Sequence, residues 1–373
     1  MPSNQGDKVD LMLVAGARPN FVKLAPLYRA LHARGRLRIS ILHTGQHYDD
    51  DMSGSFFREL EIPAPDVNLD VGPGSHAEQT GAIMIRCEPI LRRFAPACVV
   101  VFGDVNSTIA CALVAVKLGL AVAHVEAGLR SHDWSMPEEI NRMVTDRVST
   151  RLYAPSQDAC DNLTHEGIAP ERVRLVGNIM VDTLLTQLPK IDMGRTLLEF
   201  GVERQGFVLV TLHRPSNVDD APRLLRICSV LGKISEREPV LFPVHPRTKS
   251  RLQERELKVA MGATRVIAPL PYHSFLGLMA SARAVVTDSG GIQEETTALG
   301  VPCLTLRPNT ERPITITEGT NQLVEPDPPA FLHALEVANG RRHRIPDLWD
   351  GKAAERIAAD LEDAMPAFRE GRA

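Results

Sequence analysis

The chain has 373 residues, 42 lysines and arginines against 46 aspartates and glutamates, and a formal charge of −4. The charges are scattered without a basic stripe or tail, which excludes the electrostatic footprint of a nucleic-acid-binding protein. No apolar stretch approaches the ~18 residues of a membrane helix, and "MPSNQGDK" lacks an apolar signal core.

Six cysteines, at 87, 98, 111, 160, 228 and 303, stand in mostly apolar neighbourhoods with no CxxC pair. That pattern suggests reduced core thiols and a cytoplasmic protein rather than a disulfide frame or a zinc site. The length exceeds the size at which one hydrophobic core stops growing, which predicts two domains.

In chain order, apolar runs alternate with helical patterns: "VDLMLVAG", "ISILHTG", "ACVVVFGD", "LAVAHVEA", "RLYAPS" and "VRLVGN", then "FVLVTLH", "PVLFPVH", "TRVIAP", "ARAVVTD" and "VPCLTLR". This is the βαβ rhythm of parallel sheets covered by helices on both faces, an α/β fold. The rhythm restarts near Phe207, where "FVLVTL" leads into "HRPSN" and a helix much as "LMLVAG" leads into "ARPN" and a helix. A boundary near Val176 gives an N-terminal domain over 1–175 and a C-terminal domain over 176–356. The last helical pattern, "KAAERIAADLEDAMPAF", follows the second domain's last strand, so residues 357–373 can pack back on the first domain.

Open α/β sheets bind ligands beyond the carboxyl ends of their strands, and two such domains facing each other would make one interdomain cleft. The candidates are therefore polar residues at expected strand ends. These are Arg18, Asp104, Glu126, His213, His245, and Asp288 with Ser289.

Arg18 and Lys23 flank a first helical turn starting at Pro19, either as an anion site at a helix N-terminus or as a solvated arginine and a surface lysine. His43 and His47 in "HTGQH" have i, i+4 spacing, but the glycine between them follows a strand, so they do not share a helix face and no metal site is expected. "GPGSHA", from Gly72 to Ala77, imitates a dinucleotide fingerprint. Pro73 stiffens it and no acidic strand end follows about twenty residues on, which argues against an NAD cofactor.

Asp104 and Glu126 end consecutive strands separated by one helix, so on neighbouring strands their carboxylates could have pKa values pushed apart for acid/base work. Alternatively Asp104 caps the next helix and Glu126 orders the "AGLRSHD" loop. In "SMPEEINR", Ser135 followed three residues later by Glu138 reads as a capping box, which would itself account for Glu138. "TDSGGIQEE" puts Ser289, Gly290 and Gly291 in a strand-to-helix turn, whose outward N–H groups and helix dipole attract an anion such as phosphate; an ordinary tight turn is the alternative.

Taken in order, "GARPNFVK", "HTGQHYD", "FGDVNST", "HVEAGLRS", "MPEEINR", "VGNIMVDTL", "TLHRPSN", "PVHPRT" and "TDSGGIQEE" resemble the non-hydrolysing UDP-N-acetylglucosamine 2-epimerases, from Val9 to about Val324. The resemblance implies two Rossmann-like domains in a glycosyltransferase-B arrangement, an interdomain active-site cleft holding UDP, and a homodimer. By the same likeness Ser289, Gly290 and Gly291 carry the diphosphate and Glu295 the ribose hydroxyls. Arg18 and Lys23 match phosphate-side cations, and Phe275 in "PYHSFLGLM" matches the segment lining the uracil. The acid/base carboxylates fall on Asp104, Glu126 and Glu138, and the histidine near the leaving phosphate on His213.

The implied chemistry is UDP elimination, C2 proton exchange and UDP re-addition, with no cofactor. A glycosyltransferase of the same architecture and a non-catalytic nucleotide-sugar sensor are the rival classes; the first needs an acceptor and the second would lose the acid/base groups. Within the family, relatives acting on 2,3-diacetamido uronic-acid sugars share "HTGQHYD" and "MPEEINR". Some members need UDP-N-acetylglucosamine as activator. At the corresponding stretches, Gln46 to Asp49 and Gly72 to His76, this chain keeps only Gln46 and His47 and lacks the loop arginine, so no absolute requirement is expected.

Overall fold

The apolar runs pair as parallel strands in two sheets. The computed structural model describes residues 8–45, 59–244, 246–338 and 340–371, apart from the side chains of 246, 247 and 250. The chain divides into two units, one made of 1–183 with 347–373 and the other of 184–346.

The sheet of the first unit contains β1 (Leu11–Ala15), β2 (Ile39–His43), β3 (Val67–Asn68), β4 (Cys98–Phe102), β5 (Ala121–Val125), β6 (Arg151–Ala154) and β7 (Val173–Leu175). Their order is β3-β2-β1-β4-β5-β6-β7. Every residue of β1, β4 and β5 is buried, which is why these strands read as continuous rather than alternating apolar runs.

The second unit repeats the plan with β8 (Val208–Thr211), β9 (Val240–Pro243), β10 (Arg265–Ile267), β11 (Ala284–Thr287), β12 (Cys303–Thr305) and β13 (Asn321–Leu323), ordered β10-β9-β8-β11-β12-β13. In each sheet the order reverses beside the first strand, between β1 and β4 and between β8 and β11, which are the switch points where open α/β sheets take ligands. The fold class is α/β with two parallel sheets.

β3 and β13 are not among the expected runs. β3 is a short outer strand, and Asp66 before it accepts the Ile41 N–H at 2.7 Å. β13 is polar, and Asn321 instead feeds a buried network, accepting from Thr305 Oγ1 at 2.6 Å and donating to Gln293 at 2.9 Å.

The "GPGSHA" stretch leads into helix His76–Phe94 through a capping box. Ser75 Oγ accepts the Glu78 N–H at 3.2 Å, and the Ser75 N–H donates to Glu78 at 3.0 Å. All six cysteines are free, five of them buried. No helix among the described residues is long and apolar enough to cross a membrane.

The C-terminal helix Ala353–Arg369 belongs to the first unit. Asp182 receives its first N–H groups, from Ala353 at 3.2 Å and Ala354 at 2.7 Å, while burial pushes the Asp182 carboxyl up to about 6. Glu362 pairs with Arg34 at 2.8 Å, and Trp349 Nε1 donates to the Pro155 carbonyl at 3.0 Å. Entry to this segment passes Gly177, which has a φ of +86° and where an added Cβ would collide with the Leu348 carbonyl. Gly177→Ala is therefore expected to lower stability by about 2 kcal/mol or more, read as the midpoint of denaturant unfolding.

Candidate active site

At the switch point of the first unit, β1 runs into helix Arg18–Arg34, with Pro19 in its first turn and no side chain of its N-cap residue, Ala17, closing it. Asn20 does the closing instead. Its Oδ1 accepts the Gly16 and Ala17 N–H groups at 3.1 and 3.0 Å, and its Nδ2 donates to the Phe102 carbonyl at 2.9 Å, tying the β1 turn to the end of β4. Arg18 is exposed at the helix start. Lys23 is buried and its ammonium pairs with Glu126, so the two cations of this turn have different surroundings.

β4 and β5 are neighbours in register, with Phe102 opposite Val125, so Asp104 and Glu126 leave adjacent strand ends. Glu126 is buried at a φ of +76°, a region that residues with a Cβ seldom occupy. Asp104 accepts from Arg142 Nε at 3.1 Å, and its backbone carbonyl accepts from Asn141 Nδ2 at 2.9 Å.

Both partners come from helix Pro137–Val148, whose start differs from the expected capping box. Pro137 takes the first helical position and Met136 the cap, which shifts the third position from Glu138 to Glu139. The Ser135 hydroxyl donates to Asp133 at 2.6 Å instead.

The two glutamates of "PEE" then separate in role. Glu139 is buried and accepts from the Ser131 N–H and His132 N–H, both at 2.9 Å, from the Ser131 hydroxyl at 2.8 Å and from Arg142 Nη1 at 2.9 Å. Glu138 is only half-buried and has no hydrogen-bond partner among the described residues. Capping does not occupy it. Arg142, buried between Asp104 and Glu139, was not legible as a site residue; its i+3 spacing from Glu139 is the signal that could have found it.

At the switch point of the second unit, Asp288 after β11 is fully buried and takes hydrogen bonds from the loop after β8. The His213 N–H reaches it at 3.1 Å, the Arg214 N–H at 3.0 Å and Asn217 Nδ2 at 3.0 Å, while His213 Nδ1 lies 2.9 Å from Oδ1. Burial pushes the Asp288 carboxyl up, but the His213 bond and charge, with Asn217 and the Arg214 N–H, outweigh it and hold the group below the usual carboxylate range. His213 is itself 63% exposed, so a buried anion orients an accessible imidazole.

Ser289 is the N-cap of helix Gly290–Leu299 but makes no side-chain cap, and the first N–H groups of a helix have no intrahelical partner. Gly290 sits tightly against buried side chains. An added Cβ there would collide with the Arg312 guanidinium and the Glu311 carboxylate. These belong to a buried cluster that the motifs did not reveal, in which Arg307 pairs with Glu311 at 2.7 Å and Arg312 with Glu294 at 2.9 Å.

One residue further along the helix, Glu295 is buried, and Tyr272 Oη lies 3.5 Å from its Oε1. Burial and the charge of Glu294 push Glu295 up to about 8, with the Tyr272 hydrogen bond acting in the opposite sense. Phe275 is half-buried on the Tyr272–Ser281 helix. The candidate His245 lies outside the described residues, as do His47 and the stretch from Gln46 to Asp49.

A family model described as UDP-N-acetylglucosamine 2-epimerase matches residues 29–362. The chain belongs to the UDP-N-acetylglucosamine 2-epimerase family. As a member it is an enzyme, an isomerase. It is 43% identical to a UDP-N-acetylglucosamine 2-epimerase of Methanocaldococcus jannaschii, over 94% of this chain and 98% of that protein. It is 41% identical to a UDP-2,3-diacetamido-2,3-dideoxy-D-glucuronate 2-epimerase of Pseudomonas aeruginosa, over 94% of this chain and 99% of that protein. The crystal structure of a Methanocaldococcus jannaschii family member in complex with UDP-GlcNAc and UDP matches with a TM-score of 0.86 at 42% identity, covering 95% of this chain and 99% of that one.

Two predictions follow from the pairing of these carboxylates. Glu139→Ala leaves buried donors and half of Arg142's charge uncompensated, so it is expected to cost about 3 kcal/mol or more. Glu138→Gln should leave the melting temperature near that of wild type. Calorimetric unfolding of the two variants side by side checks this.

Glu295 gives a pH dependence. Its folded-state value of about 8 lies above the ordinary 4.5, so between those limits the folded state holds a proton that the unfolded state has lost. Stability from this group is fully present below 4.5 and disappears as the pH rises to 8. Relative to wild type, Glu295→Gln is expected to gain more than about 1 kcal/mol of unfolding free energy across that window, measured by denaturant titration at both ends.

Proposed function

We propose that the chain interconverts UDP-N-acetylglucosamine and UDP-N-acetylmannosamine without hydrolysis. The observation that carries this reading is the placement of Asp104 and Glu126 at the carboxyl ends of adjacent parallel strands, with Glu138, on the helix that supplies Asp104's arginine, unpartnered among the described residues.

C2 of the sugar has no adjacent carbonyl, so removing its proton alone would leave an unstabilised carbanion. In the proposed sequence the C1–O bond breaks first, UDP leaves with the bonding pair, and C1 becomes oxocarbenium-like. A carboxylate then takes the C2 proton, and the C–H electrons form the C1=C2 double bond of a 2-acetamidoglucal. Return of a proton to the opposite face and re-addition of UDP at C1 give the epimer.

Inversion needs proton-transfer groups for two faces, and Asp104 and Glu138 are assigned to them. Glu126, held by Lys23, tunes and orients these carboxylates. His213, Arg18 and the Ser289–Gly290–Gly291 turn stabilise the departing UDP. Glu295 takes the ribose hydroxyls, Phe275 the uracil, and His245 is among the substrate-binding residues. The working form is proposed to be a homodimer in the cytoplasm.

The Pseudomonas aeruginosa relative favours a second reading, because identities of 43% and 41% do not separate the two sugars. A UDP-2,3-diacetamido uronate differs at C3 and C6 and leaves the C2 chemistry unchanged. One proton NMR assay in D2O, with each sugar offered alone and no acceptor, decides between them. UDP-N-acetylglucosamine is expected to give product carrying deuterium at C2. Asp104→Asn and Glu138→Gln should each lower turnover by about 10²- to 10⁴-fold while UDP affinity stays within a few-fold. Product that keeps its original C2 hydrogen, or product from the uronate alone, would sink the reading.

A further inference from the structure

We infer that His124 is a positioning residue that holds the Asp104 turn in register with Glu126. The inference rests on the proton-transfer role proposed for Asp104 and the orienting role proposed for Glu126.

His124 lies in β5 and is completely buried. Its Nε2 is 2.8 Å from the Gly103 carbonyl and its Nδ1 2.7 Å from Asp146 Oδ1. A carbonyl only accepts, so Nε2 donates. Asp146 Oδ2 takes Arg130 Nη1 at 2.8 Å and the Gly128 N–H at 3.1 Å. Burial pushes the Asp146 carboxyl up, yet His124 and Arg130 together hold it below the usual carboxylate range. Nδ1 faces that carboxylate, so the ring bridges Asp146 and the Gly103 carbonyl.

The consequence falls on Gly103. Its backbone has a φ of +62°, its N–H donates to the Val125 carbonyl at 3.1 Å, and its carbonyl receives His124. Both polar groups of this residue are therefore bound by positions 124 and 125, the two that precede Glu126. Asp104 follows Gly103 directly. The same dipeptide of β5 thus fixes the backbone from which each carboxylate departs. An added Cβ at Gly103 would lie 3.0 Å from Lys23 Nζ and 3.3 Å from Glu126 Oε2, so the turn sits against the Lys23–Glu126 pair. Removing the Nε2 bond frees the Gly103 peptide while leaving Asp104, Glu126 and Glu138 in place chemically.

Two substitutions separate this role from simple core stability. Glutamine can present a donor near the Nε2 position, whereas asparagine presents one near Nδ1 and cannot reach Gly103. His124→Gln is expected to keep kcat within about tenfold of wild type, and His124→Asn to lose about a hundredfold or more, with KM and UDP affinity within about threefold in both. Equal kcat in the two variants, a larger loss in His124→Gln, or losses that simply track melting temperature overturn the inference. Should neither variant fold, NMR of the ¹⁵N-histidine-labelled wild type decides: a His124 ring without a protonated, exchange-protected Nε2 overturns it and a protected one upholds it. Wild-type protein inactive on both UDP-sugars would refute the proposed function together with this inference, whereas an active wild type with equal variants refutes this inference alone.

Discussion

A parallel strand delivers its carboxyl end to the same edge as its neighbours, and the helix returning from it starts at that edge. In both sheets every pairing is parallel, so each edge gathers chain reversals, open helix N–H groups and positive dipole ends. Charge placed there is favoured only if it is matched. Lys23 is buried with Glu126, Arg142 between Asp104 and Glu139, and Asp288 against the His213 loop. An uncompensated buried charge would cost several kcal/mol, so these pairs are conditions for the turns to exist at all.

The two units solve the same problem in the same way. Each keeps a fully bonded carboxylate under a loop and leaves a neighbouring polar group accessible. In the first unit Glu139 holds the Ser131–His132 backbone while Glu138 stays unpartnered among the described residues. In the second, Asp288 holds the His213–Arg214 backbone while the His213 ring is largely exposed. In each case a bonded, buried carboxylate fixes the backbone beside an accessible polar group, which is how a short loop can present that group in one orientation.

Much of the architecture was legible because it depends on local patterns. The apolar runs that became β1, β4, β5, β8 and β11 are buried on both faces, and the ionisable residues following them sit at strand ends as the βαβ rhythm requires. What was not legible depends on partners distant in sequence. Arg142 meets Asp104 across 38 positions and Asp288 meets the His213 backbone across 75, separations that no periodicity encodes. The capping box at Ser135 failed for a local reason: Pro137 claimed the first helical position and moved the count by one. Lys23 read as a phosphate-side cation, with a surface lysine as the alternative, because its helix pattern does not show that Glu126, a hundred and three positions later, lies beside it.

The first unit is discontinuous, since residues 347–373 complete it after the whole of 184–346 has intervened. On a ribosome, where domains form as their sequences emerge, the second unit has all of its chain before the first has its last helix. Until that helix arrives, Asp182 lacks the Ala353 and Ala354 N–H groups, and Arg34 lacks Glu362. The unit whose synthesis begins first is therefore the one whose folding is completed last, and a chain truncated by a few tens of residues would lose the older half of the molecule rather than the newer one.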